Sequence, residues 1–206
     1  MSRHERRYLR YLARHQKQGK TATPNTAAEA RASAREVAPA VDGPLHECLV
    51  PANLFEMGMG NLVFSRLLPD GRIALAVFLL DLFCLGVKNA FITIASRDEY
   101  RQRLRRWPEA ERLQPMNAAC FRKLVEGGVA YAGDLGFSPH ADYAVARQIF
   151  GDVQSADCAT RFEYGHDGKP LYISGPHETP TQVRAILEQL ERRVGPGNFD
   201  YLVLAE

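Results

Sequence analysis

Residues Ile73 to Ala95 read IALAVFLLDLFCLGVKNAFITIA, a run of twenty-three positions in which Asp81 and Lys88 are the only charges. By length alone the run would cross a bilayer, since about 20 apolar residues suffice. Three features direct it to the centre of a sheet instead. Asp81 falls near its middle, where a carboxylate costs roughly 2.5–3.5 kcal/mol in a membrane. Val63 to Leu68 precedes it as another apolar stretch, and Pro69-Asp70-Gly71 between them is hairpin chemistry. Gly86 and Asn89 then divide the run into two shorter strands. The pattern therefore predicts a three-stranded antiparallel meander over 61–95 and no membrane span.

The remaining periodicities add helices. A short strand is predicted at Leu45–Val50 and a helical turn at Leu54–Met59. Ser96 with Asp98 and Glu99 behind it is a helix start with acid in the first turn. That helix runs through Arg106 and ends ahead of Pro108. Pro115-Met116-Asn117 opens a longer helix to about Leu135, with Phe121, Leu124, Val125, Val129 and Tyr131 as its apolar face and Gly136 behind it. A further helix is predicted from His140 to Phe150. Phe162–Tyr164 and Leu171–Ile173, around Gly165-His166-Asp167-Gly168, read as a second β-hairpin. Thr179-Pro180 starts a helix that Gly195-Pro196-Gly197 stops, and Phe199–Leu204 closes the chain as a strand. The fold class is α+β: meander, helices, second β-hairpin, then helix and closing strand.

Ahead of this body the pattern changes. Ser2–Gln18 could form a short basic helix. Residues 19–43, rich in Ala, Thr, Ser and Pro, read as a linker with one transient helix at Thr26–Val37. The chain divides into a basic arm and linker, 1–43, and one globular domain, 44–206. Charge sharpens the division. Residues 1–20 carry Arg3, Arg6, Arg7, Arg10, Arg14, Lys17 and Lys20 against Glu5 alone, a net +6, whereas the rest sums to −4. The overall +2 is thus a property of the arm. No apolar stretch follows the basic residues, so a secretory signal is not expected and the cytoplasm is the default compartment. The cysteines Cys48, Cys84, Cys120 and Cys158 contain no CxxC pair and read as reduced, mostly buried thiols.

Candidate chemistry is sparse. Asp81 needs a partner, because an unpaired buried charge costs several kcal/mol or is neutralised. The alternatives are backbone amides at a strand end, an ion pair with Lys88, or a catalytic role. His140 and Asp142 form an HxD pair that suits acid–base work or a helix start equally. Gly175-Pro176-His177-Glu178-Thr179 has the strand–turn–helix geometry that can hold an anion, without a phosphate-loop motif. No set of His and Cys has zinc spacing, so no metal site is assigned, and no motif names a cofactor. Arg97, Arg101, Arg103, Arg105, Arg106 and Trp107 share one helix. Arginine beside an aromatic suits phosphate contact and base stacking, and a solvated, ion-paired helix face is the plain alternative.

FLLDLFCLGVKNAF, LVEGGVAYAGDLGFSPHADYAVARQIFGD and DGKPLYISGP together resemble a family of uncharacterised bacterial proteins. The resemblance covers about residues 44–206, implies a bacterial cytoplasmic setting and transfers no catalytic residue. The meander followed by helices also resembles the start of a ribonuclease H-like fold. NLVFSRLLP, however, lacks that fold's metal-binding acid, and Asp81 alone cannot supply a two-metal site. Three functions follow as expectations. The first is docking on RNA, DNA or a ribonucleoprotein through Arg3, Arg6, Arg7, Arg10, Arg14, Arg101, Arg105 and Trp107. The second is a small hydrolase or transferase using Asp81, His140 and Asp142. The third is a protein-interaction module without chemistry.

Overall fold

The computed structural model describes residues 34–108, 111–175 and 178–203. Its centre is a five-stranded antiparallel sheet in the order β4-β3-β2-β1-β5. The strands are β1 (Leu45–Pro51), β2 (Met59–Leu67), β3 (Ile73–Asp81), β4 (Gly86–Ala95) and β5 (Leu113–Pro115). The apolar run at 73–95 is therefore two adjacent strands, joined by a turn at 82–85, and no helix among the described residues is long and apolar enough to cross a membrane. β3 lacks period-two alternation because both faces of the sheet are covered there, which removes the need for a polar side. The hairpin at Pro69-Asp70-Gly71 forms as the sequence predicts: Gly71 sits at φ +83° and donates to the Leu68 carbonyl, and Leu68 donates to that of Arg72.

On one face, laterally aligned Phe64, Ala76 and Ile92, and next to them Leu62, Phe78 and Ala90, make the floor of the main core. The helix α4 (Ala118–Asp134) covers it with Phe121, Leu124 and Val125. Phe64, Phe78, Phe121 and Phe150 pack there as a ring cluster, with centroids 5.2–6.2 Å apart. The opposite face carries Val63, Ile73, Leu75, Val77 and Ala95 beneath Tyr100 of helix α3 (Arg97–Arg105).

Helix α1 (Ala34–Val41) also belongs to the body: Val37 and Ala40 are fully buried in the main core. The body thus begins ahead of Pro44, where the sequence expectation placed it. Alanine and Pro39 give this stretch a linker composition, yet Val37, Ala40 and Val41 still share one helical face. A short α2 (Leu54–Met57) closes with Gly58 at φ +74°. Leu113–Pro115 pairs with β1 at the sheet edge, so Pro115, expected to open the longer helix, ends a strand instead and α4 starts at Ala118.

The helix expected at 140–150 is a short α5 (Tyr143–Ala146) continued by a 3₁₀ turn at Arg147–Phe150. The tight turn after Tyr164 is present, bridged by His166 and Lys169. The two arms of the expected hairpin do not pair further. Instead β6 (Leu171–Ile173) lies parallel to β7 (Asp200–Leu202), with α6 (Pro180–Val194) as the crossover between them. Thr179 caps α6 in a box with Gln182, and Pro180 opens it.

Candidate functional site

Helix α3 is started by a reciprocal cap: the Glu99 amide donates to Ser96 Oγ and the Ser96 amide to Glu99 Oε2, at 3.3 and 2.7 Å. These bonds hold the Glu99 carboxyl below its usual range. Tyr100 points inward and donates to Glu47 Oε2 at 2.6 Å, with Ser65 Oγ at 3.3 Å from its hydroxyl. Burial, then the Glu47 bond, pushes its phenol well up. Arg97, Arg101, Arg105 and Arg106 are exposed, whereas Arg103 is half-buried. Arg97 donates to the Gly71 carbonyl, and Arg101 pairs with Asp98 at 3.2 Å. Arg105, Arg106 and Arg112 are exposed and form no ion pair among the described residues. Trp107 is half-buried and packs with Leu104 on the outer-face cluster, so most of its surface serves the fold rather than a base stack. Arg3, Arg6, Arg7, Arg10 and Arg14 lie outside the described residues.

Asp81 ends β3 and is nearly inaccessible. Its Oδ1 accepts from the Phe83 and Cys84 amides at 2.9 and 3.0 Å, which shapes the 82–85 turn. Burial raises its carboxyl above the ordinary carboxylate range, against the nearby Lys88 charge and the amides, which lower it. The turn that Asp81 organises then receives the C-terminal region: Gly165 donates to the Leu82 carbonyl and Leu171 to that of Phe83. The recess beside Asp81 holds about 10 Å³, room for a single water at most, and its lining of Met57, Gly58, Met59, Phe83, Leu171 and Ile173 includes neither His140 nor Asp142.

Lys88 does not pair with Asp81. The β3–β4 register slips between Leu79–Asn89 and Leu80–Val87, so Lys88 is a bulged residue turned toward Glu178. Its ammonium lies 2.7 Å from Glu178 Oε1. Glu178 Oε2 accepts from the Tyr172 hydroxyl at 2.5 Å and the Gly175 amide at 2.9 Å. Burial raises the Glu178 carboxyl, but Lys88 and these donors outweigh it and hold it below its ordinary value. The turn before α6 thus gives an amide to its own carboxylate; Pro176 and His177 lie outside the described residues. The sequence marks the 175–179 turn as one that can hold an external anion, and a lone lysine in an apolar strand does not say that Glu178 is the acid that answers it.

His140 and Asp142 are half-exposed, and the Asp142 amide donates to His140 Nδ1 at 3.3 Å. The His140 amide also donates to the Val87 carbonyl. Asp142 sits at the helix-start position of α5 without a side-chain cap bond. Sequence reading passed over Arg66 entirely. Buried in β2, it donates to the Ile149, Gly43 and Phe150 carbonyls and to Asp152, at 2.6–2.8 Å.

The expectation of reduced thiols is corrected at two positions. Cys120 and Cys158 form a disulfide with Cα atoms 4.9 Å apart, while Cys48 and Cys84 are free and buried. Thirty-eight residues of chain separate the pair, and only the return of the 155–160 segment over α4 brings them together. Among the described residues, no group of three or more His, Cys, Asp and Glu side chains could hold a metal ion. No family model, no curated protein and no solved structure matches the chain.

Proposed function

We propose that this chain is an accessory domain that docks on nucleic acid, as RNA, DNA or ribonucleoprotein, through its basic arm and helix α3. The observation that carries the reading is the division of labour on α3. Its acids are occupied, Glu99 in the cap and Asp98 on Arg101, while Arg105, Arg106 and nearby Arg112 face outward. A short row of guanidinium groups without an ion pair among the described residues, beside a +6 arm, matches a phosphate backbone in charge and in hydrogen-bond geometry. The half-buried Trp107 argues for backbone contact rather than base stacking. A bacterial cytoplasmic setting, implied by the family resemblance, belongs to the same proposal. A disulfide fits that compartment only if it is redox-responsive.

The hydrolase reading has less support, because Asp81 is occupied in shaping a turn and the recess beside it is lined by neither His140 nor Asp142. The test measures binding of the full chain to RNA and DNA duplexes and single strands as salt is raised. Arg101→Glu/Arg105→Glu/Arg106→Glu should reduce the log–log salt slope by about 2–3, since each phosphate contact contributes roughly 0.7–0.9. Replacing Arg3, Arg6, Arg7, Arg10 and Arg14 with Gln should reduce it further. Absence of binding at low salt, or an unchanged slope in both variants, overturns the proposal.

A further inference from the structure

We infer that the Cys120–Cys158 disulfide is a reversible thiol-exchange site, opened at Cys120 by a dithiol reductant, and that its opening releases residues 154–161 from helix α4. Three observations converge on it. First, the two sulfurs sit in different surroundings. Cys158 is 3% exposed, whereas Cys120 is half-buried in the first turn of α4, with the exposed Thr160 hydroxyl 3.8 Å from its sulfur. An incoming thiolate therefore reaches the Cys120 side.

Second, the segment that the bond holds lies against α4 but buries little of its own surface. From Gln154 to Arg161 only Cys158 is buried, and the sole regular structure is a 3₁₀ turn at Ser155–Asp157. The hydrogen bond from the body into this stretch is also to Cys158: Lys123 Nζ donates to its carbonyl at 2.7 Å. On either side the chain is anchored independently, by Arg122 to the Val153 carbonyl at 2.6 Å and by Tyr164 to that of Leu124 at 3.0 Å. Opening the bond is thereby a local event with fixed ends.

Third, the other two cysteines cannot compete. Cys48 lies in the main core and Cys84 in the separate cluster around Tyr172 and Leu190, both fully or almost fully buried, and burial pushes the Cys48 thiol up to about 12 and that of Cys84 up as well.

In the exchange, one thiolate of the reductant attacks Cys120 Sγ. A mixed disulfide forms there, and Cys158 departs as a thiolate that takes a proton. The reductant's second thiolate then attacks its own sulfur in the mixed disulfide and releases Cys120, which is protonated in turn. The protein gains two electrons and two protons, and the reductant becomes a disulfide. Position favours both departures: the Lys123 ammonium sits on the backbone carbonyl of Cys158, in the same residue as one leaving sulfur, and Cys120 lies in the first turn of a 17-residue helix, at the positive end of its dipole.

The experiment uses the full chain in native buffer with dithiothreitol, followed by maleimide labelling, peptide mapping by mass spectrometry and hydrogen exchange. The expected result is two labels per chain, on Cys120 and Cys158, with Cys48 and Cys84 unlabelled. Exchange should accelerate across 154–161 and stay unchanged in β3 and β4, and oxidised glutathione should restore the bond. Labelling of all four cysteines in step would mean that the bond opens only through global unfolding and would overturn the inference. So would a bond that resists dithiothreitol in native buffer, or unchanged exchange across 154–161. The order of attack is read from single variants in oxidised glutathione: Cys158→Ala should form the mixed disulfide at Cys120, and Cys120→Ala should not form one at Cys158. A preference for Cys158 overturns the assigned order, and the wild-type labelling decides the site even if either variant fails to fold.

Discussion

The meander β2–β3–β4 and the C-terminal quarter from Arg147 onward are stabilised in different ways. The meander has strands of nine, nine and ten residues in antiparallel register, broken only by the bulge at Lys88, and its side chains pack on both faces. The C-terminal quarter has strands of three residues, a long irregular stretch and one amphipathic helix. Long-range side-chain ties join it to the body at several points, among them these three. Arg66 grips Ile149, Phe150 and Asp152, Lys88 grips Glu178, and Cys120 is bonded to Cys158. The meander spreads its contacts along three long strands, whereas the C-terminal quarter, beyond the side chains it sends into the main core and the cluster around Tyr172, relies on long-range side-chain ties. Single substitutions should therefore be felt unevenly.

The largest effect is expected at Arg66. Arg66→Met keeps an apolar stem in β2 but strips donors from the Ile149, Phe150 and Gly43 carbonyls. Leaving buried acceptors unpaired should cost about 3–5 kcal/mol in urea denaturation. Arg66→Lys should recover only part of this, because an ammonium cannot reproduce the guanidinium fork. Asp152→Asn should leave stability nearly unchanged, since that carboxylate is 87% exposed. If Arg66→Met unfolds at the wild-type midpoint, the C-terminal quarter does not depend on its ties.

Glu178→Gln should cost less, about 2–3 kcal/mol, by leaving Lys88 without its counter-charge in a site where both side chains are less than a fifth exposed. Its pH signature separates it from a packing defect. The Glu178 carboxyl is held below its ordinary 4.5, so its contribution is complete above that pH and is lost as pH falls through the lower folded value. Asp81 runs the other way: raised by burial, its contribution is complete below its ordinary 3.8 and declines as pH rises through the folded value. Stability measured against pH should therefore lose part of its acid decline in Glu178→Gln. An unchanged acid limb would show that the Lys88 pair does not contribute.

The same contrast explains what could be read from the residues alone. The meander was legible because Pro69-Asp70-Gly71, the break at Gly86 and the apolar run are local signals. The helix starts at Ser96 and Thr179 were legible for the same reason. The hairpin expected at 162–173 failed because three-residue strands carry no register information, so Leu171–Ile173 could pair with a strand nearly thirty residues away. The ties were invisible for a related reason. Arg66 and Lys88 show in sequence as isolated charges in apolar strands, but nothing local says which distant group answers them. Cys120 and Cys158 gave no spacing signal, and their pairing depends on how one irregular segment returns over α4. Of the candidate site, the exposed arginines of α3 were readable from charge. That Trp107 turns toward the sheet was not, because an aromatic next to arginines looks the same whether it faces inward or outward.

The smallest effects expected lie on α4, which touches both regions. A Cβ at Gly127 would fall 2.1 Å from the Tyr164 hydroxyl oxygen, whereas a Cβ at Gly133 would meet nothing within 4 Å. Gly127→Ala must displace Tyr164 and weaken its bond to the Leu124 carbonyl, at about 1–3 kcal/mol. Gly133→Ala should instead stabilise by about 0.4–1 kcal/mol, because it removes backbone freedom from the unfolded chain and adds helix propensity. The pair also reports where the loss is felt. Hydrogen exchange in Gly127→Ala should quicken in 162–173 and leave β2 to β4 as they were, since the ring that moves belongs to the C-terminal stretch. If β3 and β4 lose protection to the same extent, the two regions unfold as one unit, and the contrast between them holds for the contacts without extending to the energetics.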